Sequence, residues 1–589
     1  MRRLAAPAAG VSLALAAAWI PAIGQDRPES ILPPGFGEPT SRPSAAPTAG
    51  STPASPGATI EALPNGLPTA SPGDTPTATP TPDAHLLAEY ALPSFARRSL
   101  AQVGSIGTGD GGLPGDAFGA ADGPYLERLM RTLDAPLPSR WMSILLRRAL
   151  VSAVDTPQGV NGADFAAERA WLLLRMGESL SARAVAQDVD TNNYTPKLYQ
   201  VAMNTALATG DPAQLCPLID GGVRETGEAG WTLAKAMCVG LSGEAARAGT
   251  LVTQAKRHNV ARGVDLLLAQ KVVGTGAQGR QAVTIEWTGV DRLTAWRFGL
   301  ATATGVAIPD ELYAGAGRQV NYWRALAPAI PLAARVAPAE AAAGQGVLSN
   351  AALVDLYSAV DAADDSAAAP AATAQDLKTA YTGTTVDARM AAMRQLWGAT
   401  GAKPAYARLV LTARAAAQIP VASGSGDASA LVASMLSAGL DRTAMRWRGS
   451  VDKGGDAWAM IVLADPDSTG SIGYGDLAGY SGSGDAGLKQ RLLFAGLAGL
   501  GRLAPGDIER AAEKLNVRIG AENAWTRALD RAARAGQPGT VVLLAAVGMQ
   551  TPSWHGVPPE MLYRIVGALR SVGLEGDARM IAAEAIARL

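Results

Sequence analysis

Phe165-Ala166-Ala167-Glu168-Arg169-Ala170-Trp171-Leu172-Leu173-Leu174-Arg175-Met176-Gly177-Glu178-Ser179 ends in a glycine–acid pair that recurs. Gly177-Glu178, Gly210-Asp211 and Gly243-Glu244 follow one another at an interval of 33 residues, and Gly276 continues the series without its acid. Twelve positions before each glycine stand Phe165, Leu198, Trp231 and Val264, and seven before stand Ala170, Met203, Ala236 and Ala269. Eight positions after the first three stand Val185, Leu218 and Leu251. Matched apolar columns on both sides of a recurring turn predict one helical hairpin used several times, the pattern of an α-solenoid. The glycine then serves as the left-handed cap of the first helix, and the acid favours the positive N-terminal end of the second, out in solvent. Thr195-Pro196 supplies an N-cap and a first-turn proline for one unit.

Outward from the repeats, the N-terminal end carries a different kind of signal. Arg2 and Arg3 precede an apolar stretch that reaches Ile23, and Ala22-Ile23-Gly24 offers small residues before Gln25. That order predicts a secretory signal peptide over 1–24, and hence a periplasmic or otherwise exported protein. The alternative is an uncleaved segment anchoring the chain in the inner membrane, for which the stretch is about long enough, although Pro7, Gly10 and Pro21 weaken it as a span. From 25 to 85 the chain is rich in Pro, Thr, Ser and Ala, as in Thr75-Pro76-Thr77-Ala78-Thr79-Pro80. Such a composition buries too little apolar surface to offset ordering, so a disordered, partly polyproline-like tail is expected.

The 51 basic and 52 acidic residues give a net charge of -1, a balance with no general attraction for nucleic acid. Charged residues make up 17% of the chain and hydrophobic ones 48%, with aromatics at only 5%, which is the signature of alanine-rich helices packed closely on one another. The reading is therefore all-α. A helical-repeat region is expected over 86–280, an irregular helical region over 281–485 and helical hairpins over 486–589. Within the first of these, order is expected from Leu86 with a helix through Leu100, and then helices at Pro124–Leu133 and Ser139–Val154. Further on, helix-like blocks occupy Asp291–Thr302, Val320–Leu326, Leu348–Ala362, Thr373–Trp397, Pro404–Ala417 and Leu431–Met445. Between 424 and 484 lie many glycines and serines. Six helices follow at Leu488–Leu500, Pro505–Leu515, Ala521–Ala535, Thr540–Met549, Pro559–Val572 and Gly576–Leu589, separated by glycine or proline turns. Gly576-Asp577-Ala578 with Ala582, Ala583 and Ala585 resembles the second helix of a tetratricopeptide unit. The family's repeat is usually one residue longer, and its tryptophan, glycine and tyrosine positions are not reproduced. The resemblance implies a helix-hairpin architecture and no particular ligand.

Cys216 and Cys238, the two cysteines, flank a polar segment whose midpoint is Gly227. Residues equidistant from the turn of a helix pair face each other, so an oxidising compartment predicts a disulfide between them. The three histidines, His85, His258 and His555, are too scattered for a zinc site. In soluble lytic transglycosylases a glutamate precedes a serine on a helix. Glu178-Ser179 supplies that dipeptide at a repeat turn and lacks the family's downstream Gly-Leu-Met-Gln segment, so Glu178 reads as a helix-start residue. The stretch from Asp465 to Asp476 resembles an EF-hand loop, with oxygen donors at Asp465, Asp467, Thr469, Ser471 and Asp476 and a glycine at its sixth position. Asp476 stands where the longer glutamate is usual, which favours an acidic loop between helices over a calcium site.

No catalytic set and no cofactor follow from these residues. The function expected is that of an exported cell-envelope scaffold or adaptor that offers a helical-repeat surface to a protein or polymer partner. The rival readings are an envelope enzyme acting on polysaccharide through a carboxylate site and a calcium-responsive binding module. Two carboxylates converging in a deep polar cleft would favour the enzyme.

Overall fold

The computed structural model describes residues 93–589 except 277–282, 364–367, 399–404 and 469. Residues 1–92, which include the expected signal peptide over 1–24, the expected tail over 25–85 and the start of the helix expected from Leu86, lie outside the described residues, as does Thr469. The chain divides into two compact units, and of the smaller, Pro39–Arg98, only its end from 93 is described, a 3₁₀ turn over Ser94–Ala96. The helix expected to continue to Leu100 is therefore absent from 97–100. The larger unit includes Ser99–Leu589, and its described residues are all-α apart from isolated bridges and one two-stranded ladder, Gln102–Val103 against Val154–Asp155, antiparallel with Gln102 opposite Asp155.

Its helices form because small and apolar residues recur at helical spacing between explicit caps. Ser139 accepts the Met142 N–H, Thr195 accepts that of Leu198, and Asn523 with Thr526 forms a reciprocal capping box. The 33-residue register returns in the backbone at the first and third turns; Gly210 is also left-handed, with φ of 67°, but Asp211 departs from the pattern at φ of -128° and ψ of 80°, and Gly276 lies within helix Gly263–Gly276 instead of capping it. Gly177 and Gly243 have φ of 88° and 89°, and the acids that follow share φ of -84° and -83° with ψ of 58°. Only a residue without a Cβ adopts that left-handed cap at little cost. The column Phe165, Leu198, Trp231 and Val264 lies on the first helices of successive units, Gly162–Met176, Pro196–Ala208, Ala229–Leu241 and Gly263–Gly276, and all four side chains are buried. Helix Gly162–Met176 packs on Pro196–Ala208, and Ala229–Leu241 on Gly263–Gly276. Tyr199 meets Trp231 edge to face at 5.7 Å between ring centres, linking the two pairs. The pairing of Cys216 with Cys238 is present, with Cα atoms 5.5 Å apart, and joins the 3₁₀ segment Pro212–Leu218 to helix Ala229–Leu241.

Connectivity elsewhere is not limited to neighbours. Helix Arg140–Val151 packs against Gly162–Met176, Leu332–Gln345, Pro538–Gly548 and Glu575–Arg588. The last helix of the chain thus lies beside one of its first, and 281–485 contributes helices to the same unit as the regions on either side. The joints are made by arginine. Arg169 donates to the carbonyls of Leu150, Ser152 and Val103, Arg175 to those of Leu133 and Met130, and Arg502 to those of Val462, Leu463 and Asp465. Each guanidinium meets the unsatisfied carbonyls and negative dipole of a helix C-terminus, where its planar fork bonds several acceptors at once. Burial pushes the Arg169 and Arg175 guanidinium groups down, to about 10.

Candidate functional site

Helix Arg140–Val151 begins at a buried carboxylate from the far end of the chain. Glu584, fully enclosed, accepts from Ser139 Oγ at 2.5 Å, from the Arg140 N–H at 2.8 Å and from the Trp141 N–H at 3.1 Å, while Arg588 Nη1 lies 3.0 Å away. An anion at this position satisfies orphan amides at the positive end of the helix. Two arginines of the same helix turn toward the middle of the chain. Arg140, 4% exposed, donates from Nε to Ser437 O at 3.0 Å and from Nη1 to the carbonyls of Ala343 and Leu348. Arg147 donates from Nη1 to Glu178 Oε1 at 2.7 Å and to Gly346 O at 2.8 Å. Gln345 completes the seam with bonds to Leu137 O and Ser143 Oγ. Desolvation is the largest influence on Arg140 and lowers its pKa; neighbouring Arg147 and Arg588 act in the same direction, and Glu584 and Tyr406 against it.

Beside this seam is a cavity of about 560 Å³. Its walls are Arg140, Trp141, Ile144 and Arg147 from one helix, the connection from Gly346 to Ala352, and Arg414 with Ala438. The connection leads into helix Asn350–Ala362, whose N-cap, Ser349, accepts the Ala352 N–H at 3.0 Å. The amides of Asn350 and Ala351 have no partner among the described residues. Asn350 is buried and donates from Nδ2 to Val410 O at 2.6 Å, with its Oδ1 left unpaired among the described residues. Three guanidinium groups, the positive end of a helix and an indole therefore border one space. Chemically this arrangement suits the binding of an oxyanion with an apolar face.

The residues singled out by sequence lie elsewhere. In the loop from Asp465 to Asp476, Asp465 pairs with Arg448 and accepts the Asp467 N–H, Asp467 pairs with Arg442 at 3.0 Å, and Asp476 pairs with Lys453 at 2.6 Å. Those carboxylates are engaged by three different basic groups rather than brought together, and the turn that follows, Tyr474–Ala478, is a five-residue helix. Ser471 is exposed. His258 ends helix Ala245–Arg257 and His555 lies in the 3₁₀ turn Trp554–Gly556, both exposed; His85 is outside the described residues. Among the described residues no group of three or more His, Cys, Asp and Glu is placed to hold a metal. Glu178 does start a helix, but the solvent-exposed position expected for it is corrected: it is 5% exposed, enclosed against Arg147 and Ser181. Burial raises its pKa from the ordinary value despite Arg147.

Two carboxylates do converge, at a place the sequence reading passed over. Glu127 and Glu168 are both buried and are bridged by Arg131, at 2.5 Å from each, and by Lys197, at 2.5 Å from Glu168 and 3.6 Å from Glu127. Desolvation, with the nearby Glu168 charge, raises the Glu127 pKa. Glu127 and Arg131 stand four apart on a helix, a legible pair, whereas Glu168 and Lys197 come from two different repeat units. No protein-family model matches this chain, and comparison with curated proteins and with solved structures also returns no match.

Proposed function

We propose that the protein is an exported cell-envelope scaffold or adaptor, a helical-repeat surface that binds a protein or polymer partner. The observation that carries this reading is the use made of charge. The convergent carboxylates Glu127 and Glu168 are closed by two cations, and the buried Arg169 and Arg175 are engaged on helix-end carbonyls, so charge here holds helices together. In the repeat region, Leu180, Val223 and Leu241 remain exposed large apolar residues, at 45%, 39% and 36%. Exposed apolar side chains distributed over successive units are the surface a stacked-hairpin arrangement offers to a partner. Export is supported by the order of basic, apolar and small residues at the N-terminus and by the disulfide, which persists in oxidising compartments. No helix of the described residues is long and apolar enough to cross a membrane.

A photo-crosslinking residue at Leu180 or Leu241, compared with one at exposed Glu513 on the C-terminal hairpins, tests the surface in intact cells. One discrete adduct from the repeat positions and none from Glu513 supports the reading. Equal, diffuse labelling from all three would reject it. N-terminal sequencing of the mature protein from the same cells checks export, with Gln25 or a near neighbour expected.

A further inference from the structure

We propose that the cavity bordered by Arg140, Trp141, Arg147 and Arg414 is a binding site for a small organic oxyanion, a carboxylate or phosphate ester carried on a body with an apolar face. The inference stands independently of the partner-binding surface.

The argument starts from donors left over after the fold is made. A guanidinium has five N–H groups. Arg140 commits three of them, one on Nε and two on Nη1, to the carbonyls of Ser437, Ala343 and Leu348. Its Nη2 makes no hydrogen bond among the described residues, and it is not one of the polar atoms sealed from solvent without a partner. The residue is 4% exposed and lines the cavity, so the cavity is where those two donors can find an acceptor. A buried cation with unmet donors beside a partly open, mainly apolar cavity is a standing demand for an acceptor. The amides of Asn350 and Ala351 add two more donors at the start of a thirteen-residue helix whose dipole favours negative charge. Arg414, exposed at the cavity and without an ion pair among the described residues, adds a solvated positive charge.

Charge alone would describe a site for any anion. The remaining walls narrow it. Trp141, half-buried, presents an indole, and Ile144, Val347 and Leu348 are aliphatic. A cavity of about 560 Å³ exceeds the need of a bare inorganic ion and falls in the range of small-molecule sites. A ring-shaped body laid on the indole, with its charged group toward Arg140 and the helix start, uses both kinds of wall. A hexuronate and a hexose phosphate are two sources of that chemistry, either free or as a residue of an anionic polymer.

Isothermal titration of the mature protein with glucuronate, glucose 6-phosphate, oligogalacturonate, inorganic phosphate and glucose tests the site. Saturable binding of at least one sugar anion is expected, stronger than that of inorganic phosphate and absent for glucose. A preference for the oligomer over the monomer identifies a polymer source, and the reverse a free metabolite. Ala351→Asp places a carboxylate at the start of the helix, where it suits the dipole and occupies the donors, so binding should fall at least about tenfold with the melting temperature unchanged or raised. Arg414→Gln, at an exposed position, should weaken binding by about three- to tenfold. Binding of none of the anions by folded wild-type protein overturns the proposal. So does binding that both variants leave intact.

Discussion

The first and third repeat units have the same turn in different surroundings. The φ of Gly177 and Gly243, and the φ and ψ of Glu178 and Glu244, agree within one degree, and the same pair of cap hydrogen bonds closes each turn. At Gly177 a Cβ would meet the Tyr322 ring at 2.5 Å, and Glu178 is sealed against Arg147. At Gly243 a Cβ would meet nothing within 4 Å, and Glu244 is half-exposed beside Arg247. What covers the first turn is chain from far away, helices Arg140–Val151 and Arg318–Leu326. The third unit lacks such a cover at its turn, and its other face is held by a fully buried tryptophan and a disulfide. A repeat dictates the shape of a turn, and the rest of the chain decides its energetics.

The sharpest break would come in the third unit. Trp231→Ala should cost about 3–5 kcal/mol, since the indole is fully enclosed and packs on Tyr199, and its loss leaves a cavity that the neighbouring ring cannot fill. Chemical denaturation monitored by circular dichroism checks this. A loss under about 1 kcal/mol would show that the unit does not depend on its core column. Next in size, Cys216→Ser should lower stability by about 3 kcal/mol in oxidising buffer and by little once the wild type is reduced. Non-reducing peptide mapping should recover the Cys216–Cys238 link. At the turns themselves, Glu178→Ala should cost about 1–3 kcal/mol through a stripped hydrogen-bonded arginine and a small void, with Glu244→Ala under about 0.5 kcal/mol. Equal losses at the two acids would erase the comparison.

The smallest effect is one of slope. The Glu178 carboxyl has a raised pKa in the folded chain, so the folded state holds its proton to higher pH than the unfolded state does. Its contribution is then greatest below the ordinary value of 4.5 and declines as pH rises from there through the raised folded value. Glu178→Gln should remove that decline, and unfolding curves of wild type and variant between about pH 4 and 7 should converge or cross as pH rises. Parallel curves would place the carboxyl in an environment no different from water.

Much of the fold was legible because glycine and proline punctuate it. The six C-terminal helices appear at Ala486–Gly499, Pro505–Lys514, Ala524–Arg534, Pro538–Gly548, Pro559–Ser571 and Glu575–Arg588, each within three residues of its expected ends. Where punctuation is weak or misleading, the elements differ from expectation. Thr373–Trp397, expected as one helix, is two, Ala368–Thr382 and Val386–Trp397, because Gly383 breaks it. Helix Leu332–Gln345 lies between the expected blocks and accommodates Pro338, and helix Asp456–Ala464 lies within the glycine- and serine-containing stretch 424–484. The site was not legible at all. Arg140, the connection holding Gly346 and Asn350, Arg414 and Ala438 occupy separate stretches that only the closure of the unit brings together. The acidic loop misled for the same reason: its carboxylates look available until Arg448, Arg442 and Lys453 arrive from outside the loop.

The arginine joints give the molecule a built-in register of its own opening. Trypsin cleaves after arginine only when it can draw the bond into its cleft as an extended strand, and Arg140, Arg169, Arg175 and Arg502 are each buried with their side chains tied to a distant helix end. Digestion of the native protein will therefore spare these four bonds while their helices stay packed, and the order in which peptides ending at those four arginines are released will tell which helices part company first.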